Sequence, residues 1–87
     1  MTGRDSHERD DPLAALNLPH AIHAQALKLL SNIALARTAA DCTRAADRAE
    51  GFGLGIETVK ALNPASTEGL YLVFDHAATA RQLVLEQ

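Results

Sequence analysis

The dipeptide Asn63-Pro64 constrains this chain more than any other feature, because it is the strongest stop-and-restart signal between two alanine-rich runs of unequal length. Proline has no amide to donate inside a helix, yet its fixed φ suits the first turn of a new one, so a helix junction belongs here. Alanine is the best helix former. With Phe52, Tyr71 and Phe74 as the only aromatic residues, packing must rely on Leu, Ile, Val and Ala. No alternating pattern bounded by turn residues suggests a strand, and the expected fold class is all-α.

Upstream of the junction, Ile22, Ala26, Leu29, Ile33, Ala36 and Ala40 recur at spacings of four and three, with Leu27, Leu30 and Ala34 as an adjacent stripe. This is the period of an amphipathic helix. The same phase then meets Thr43 and Asp47, and the apolar seam passes to Cys42, Ala45, Ala46, Ala49, Phe52, Ile56 and Val59. A straight helix drifts in this way against a seven-residue repeat, so one helix over about 19–62 is expected. Gly51, Gly53 and Gly55 weaken that expectation, since each interior glycine costs about 0.5–1 kcal/mol relative to alanine. Ala45, Ala49 and Gly53 also fit another role, as small residues where a second backbone comes close. A break at Gly51–Gly55 would give a compact three-helix bundle instead.

Downstream, Ser66 and Thr67 are candidate N-caps and Glu68 suits the positive end of a helix dipole. Leu70, Val73, Phe74, Ala77, Ala80 and Val84 form one apolar face, extended by Leu72 and Leu83, with Tyr71, Asp75, Ala78 and Gln82 opposite. A helix over about 64–86 is expected. At the other end, residues 1–11 are charged and offer nothing apolar to offset the entropy of ordering, so they read as a disordered tail before a single helical domain over 12–87. Asp11 can cap a short turn with Pro12 at its first position.

The lengths of the two helices then matter. At about 1.5 Å per residue, Pro19–Leu62 would reach roughly 65 Å and Pro64–Gln87 only about 35 Å. A hairpin of the two would leave Leu27, Leu29, Leu30 and Ile33 bare, and each such side chain is worth about 1.5–3 kcal/mol when buried. The expected remedy is a homodimer forming a four-helix bundle, with these residues as its interface. In the three-helix alternative the chain covers the same cluster itself.

Signals for chemistry are weak. His20 and His23 share a helical face and His7 could fold over them, but metal ligation needs convergence of more donors. His76 and Asp75 are neighbours that point apart on a helix. Cys42 lies in the alanine stripe and reads as a small core residue. Arg37, Arg44 and Arg48 alternate with Asp41 and Asp47, as on a solvated face. Gly51-Phe52-Gly53-Leu54-Gly55 lacks both the spacing and the preceding strand of a nucleotide loop. Ile56–Phe74 can be drawn as helix-turn-helix, yet Leu70–Phe74 is too apolar for a recognition helix. The net charge of −3 at pH 7 disfavours nucleic acid and anionic membrane as partners.

The reading is a small non-enzymatic protein–protein interaction module (adaptor, assembly factor or regulator) acting through an apolar helical surface, with no cofactor and no metal. Alternatives are a DNA-associated transcription regulator and, third, a metal binder or very small enzyme. The first residues hold no apolar run and no segment approaches the roughly 20 apolar residues of a membrane span. A single cysteine suits a reducing compartment, so a cytoplasmic and bacterial setting is expected, with a further, unidentified protein partner.

Overall fold

The computed structural model describes residues 11–87. Three α-helices follow a short 3-10 turn at Ala14–Leu16: α1 (His20–Ala34), α2 (Ala39–Thr58) and α3 (Pro64–Leu85). Among the described residues there is no strand. The expected tail lies outside these residues except for Asp11. No helix here is long and apolar enough to cross a membrane.

The long helix expected over 19–62 is two helices, and the break falls at Leu35–Thr38 rather than at the glycines. Leu35 ends α1, its amide donating to the Ser31 carbonyl at 2.9 Å. Thr38 then starts α2 from an extended backbone, and its Oγ1 accepts the Asp41 amide at 3.0 Å. The acidic Asp41 in the first turn complements the helix dipole. Thr38-Ala39-Ala40-Asp41 is therefore a helix start. The change of apolar phase near residue 40 marks two helices with different buried faces, not the slow drift of a single one.

Because the chain turns here, α1 packs against both other helices. Leu29 and Ile33 are 3% and 0% exposed, in one core with Leu13, Cys42, Leu70 and Phe74. The cluster that a two-helix hairpin would leave bare is covered from within, which removes the length mismatch as a reason for a four-helix dimer. Arg81 of α3 clasps the turn by donating from Nε to the Ala36 carbonyl at 2.9 Å. Beside it, Gln82 donates to the Ala39 carbonyl at 3.4 Å and to Thr43 Oγ1 at 3.2 Å.

Helix α2 runs unbroken through all three glycines. Its buried face is Cys42, Ala45, Ala49 and Gly53. A Cβ on Gly53 would lie 2.7 Å from Cε1 of Tyr71, so the missing side chain makes room for the Tyr71 ring of α3, whereas at Gly51 and Gly55 a Cβ would meet open space. The helix ends in a Schellman motif: the Lys60 amide donates to Glu57 and the Ala61 amide to Ile56, at 3.1 and 3.0 Å, with Lys60 at φ 54°.

The next junction lies where Asn63-Pro64 indicates, with a different cap from the one expected. Asn63 is the N-cap, its Oδ1 accepting the Ser66 amide at 2.8 Å. Ser66 and Thr67 are inside the helix, and the buried Thr67 hydroxyl donates to the Asn63 carbonyl at 3.1 Å. The apolar face of α3 meets the core as expected through Leu70, Val73, Phe74 and Ala77, and the buried side departs from it only beyond Ala78. Thr67, Leu70 and Phe74 point inward, Arg81, Gln82 and Leu85 are half-buried, and Ala80, Leu83 and Val84 are exposed. The hydrogen bonds of Arg81 to the α1–α2 turn and of Gln82 to the start of α2 accompany this departure.

The segment before α1 completes the core. Asp11 accepts the Leu13 amide through Oδ1 at 2.9 Å, as its capping role requires, and its Oδ2 lies 2.9 Å from His23 Nε2. Leu13 is wholly buried, and Leu16 occupies the space that a side chain at Gly69 would need. The three helices form a flattened body of 40 × 36 × 18 Å.

Two sets of substitutions test this account. Gly51→Ala and Gly55→Ala should each raise unfolding stability by about 0.5–1 kcal/mol, whereas Gly53→Ala should lower it by about 1–3 kcal/mol, read by urea denaturation. Thr38→Ala should cost about 0.5–2 kcal/mol, through loss of the cap that starts α2.

Candidate functional site

The residues expected at an interface do not share one environment. Leu29 and Ile33 are in the core, Leu30 is half-buried against it, and Leu27 is 43% exposed. The candidates for chemistry are also dispersed. His23 is engaged with Asp11, while His20 and His76 are exposed and His7 lies outside the described residues. Among the described residues no group of three His, Cys, Asp or Glu is placed to hold a metal ion. Cys42 is buried, its thiol 3.7 Å from the Ala78 carbonyl oxygen, in the core position its alanine neighbours imply. Arg44 pairs with Asp41 on the surface. Arg37 and Arg48 are exposed. The glycines lie within α2, so no loop is present there to cradle phosphate. Leu70 and Phe74 are buried and so are themselves out of reach of DNA bases.

A surface feature does bring residues together. Helices α2 and α3 run antiparallel, with Gly53 against Tyr71 near one end and Thr43 against Gln82 near the other. On their outer side they enclose an open hollow of about 630 Å³. Its apolar lining includes Phe74 with Ala46 and Ala78, whose short side chains leave room between the helices. Leu54 and Leu72 also line it, each 53% exposed. Asp47 and Glu50 of α2 and Asp75 of α3 supply its charged groups, and among the described residues no basic side chain lines it.

Tyr71 separates this hollow from a second, of about 620 Å³, at the α2–α3 turn, lined by Glu57, Lys60, Leu62, Pro64, Thr67 and Glu68 as well as Tyr71 itself. The phenol donates to Glu57 Oε1 at 3.0 Å. Partial desolvation, that hydrogen bond and the charges of Glu57 and Glu50 all hold the phenol above its ordinary pKa of 10.0. Both carboxylates favour the neutral phenol over the phenolate.

This groove was not visible in the sequence as a site. Leu54 sits among glycines, and Leu72 lies within an apolar run that reads as core. The spacing of Ala46, Glu50 and Leu54 does place them on one face of α2, but only the helix pairing sets Leu72 and Asp75 opposite. Comparison with known protein families, curated proteins and solved structures gives no match to this chain.

Tyr71 is the only tyrosine, so ultraviolet titration of the phenolate reads it directly. Its midpoint should lie above 10.0 and fall in Glu57→Gln. Because the folded value exceeds the unfolded one, this group's contribution to stability is complete below pH 10.0 and is lost as pH rises through the folded value. A midpoint at or below 10.0 would contradict the described environment.

Proposed function

We propose that this protein is a small non-enzymatic interaction module, an adaptor, assembly factor or regulator that presents an apolar helical surface to a protein partner. The observation that carries this reading is the groove between α2 and α3. Its apolar lining is open to solvent, and Leu54 and Leu72 stand half-exposed along it. Exposed apolar surface in a concavity rimmed by polar groups, as here by Asp47, Glu50 and Asp75, is where proteins take partners. The surface differs from the one expected from sequence, since Leu29 and Ile33 serve the core. Self-association through Leu27, Leu29, Leu30 and Ile33 accordingly loses its physical motive. The free, buried Cys42 suits a reducing setting such as the cytoplasm.

A photo-crosslinking residue at Leu72 tests this in the source cell, with exposed Asn32 on α1 as the control position. A discrete adduct is expected from position 72, absent from position 32 and lost when Leu54→Asp is added. Indistinguishable adducts from both positions, or none from position 72, would contradict the reading.

A further inference from the structure

We propose that the α2–α3 groove accepts a cationic amphipathic helix from a different protein, and not a second copy of this chain. This rests on reading the groove as a docking surface and adds the chemistry of its occupant.

Among the described residues the charged groups along the groove are of one sign: Asp47, Glu50 and Asp75 are all exposed, and no described Lys, Arg or His lines it. Among the described residues, the two ion pairs engage Asp11 and Asp41, so none of these three carboxylates is neutralised by a salt bridge. A ligand that buries Leu54 and Leu72 beside them is favoured when it brings Lys or Arg to its flanks. Electrostatic complementarity of this kind steers association and selects among partners.

The dimensions suit a helix. The α2 residues along the groove run from Ala46 to Leu54, about 12 Å or two helical turns. An occupant therefore needs only a few apolar side chains at i, i+3 or i+4 and i+7, with basic residues beside them, which is the pattern of helix-in-groove recognition.

The same charges disfavour other occupants. In a two-fold dimer across this groove the same patch is used on both subunits, so the acidic set Asp47, Glu50 and Asp75 would be brought against the same acidic set of the second copy. Anionic lipid and nucleic acid meet the same repulsion.

The test uses amphipathic helical peptides of about 15 residues, long enough for some helix to form in isolation. They share one Leu/Ala face and carry Lys, Gln or Glu on its flanks. Binding is followed by amide chemical shifts of the full chain. The Lys peptide should shift the amides of Leu54, Leu72 and Ala78 and bind about tenfold more tightly than the Gln peptide, as expected if three exposed charge pairs each contribute a factor of roughly two. This advantage should shrink with added salt. The Glu peptide should bind most weakly, and the triple variant Asp47→Lys, Glu50→Lys, Asp75→Lys should reverse the order.

Equal binding of the Gln and Lys peptides at these amides would overturn the cationic partner while leaving the docking surface standing. If no peptide shifts these amides in a chain whose circular dichroism shows intact helices, both readings fail. A concentration-dependent dimer in light scattering that Leu72→Asp abolishes would assign the groove to a second copy and overturn the proposal.

Discussion

The turn at Leu35–Thr38 is the constraint on which the rest of the structure depends. It is held from three directions: Leu35 closes α1 on Ser31, Thr38 caps α2, and Arg81 reaches from α3 to the Ala36 carbonyl. Without it, Leu29 and Ile33 would lie along a helix too long for its neighbour to cover. With it, α1 folds back and both side chains enter the core, each contributing about 1.5–3 kcal/mol of hydrophobic stabilisation. One short hydrogen-bonded turn therefore decides whether the apolar stripe of α1 is an interior or a surface.

The scarcity of large side chains explains both the packing and the groove. On the inner side of α2, Ala45, Ala49 and Gly53 present almost no bulk, and α3 comes close enough for Tyr71 to fill the space beside Gly53. On the outer side, Ala46 and Ala78 are equally short and no described residue fills the gap. A core of few large residues is thin, and at 18 Å the flattened body leaves Leu54 and Leu72 partly in water. The carboxylates beside them keep this surface hydrated and set the charge of what can approach.

The helical character and the junction at Asn63-Pro64 were legible from the sequence because period and proline chemistry act locally. So was the place of Cys42 in the core, from its setting among alanines. The expected passage of a helix through the glycines also agrees with the continuous α2. The break before α2 was missed because a phase change in an apolar stripe can signify either drift or a new helix, and Thr38 with Asp41 held the deciding information. The apolar face of α3 was legible through Ala77, but beyond it hydropathy misleads, since Arg81 bonds the α1–α2 turn and Gln82 the start of α2. The groove lay further out of reach, because it requires residues from two helices in one antiparallel register.

The most direct test of this account is the distance between spin labels at Ala24 and Glu57 in a Cys42→Ala background, measured by electron–electron dipolar spectroscopy with excess unlabelled chain to suppress intermolecular pairs. In a continuous helix these positions would be about 50 Å apart. The folded-back chain predicts a single distance below the 40 Å long dimension of the molecule. A dominant distance near the longer value would show that α1 and α2 are one rod, and would return Leu29 and Ile33 to the surface.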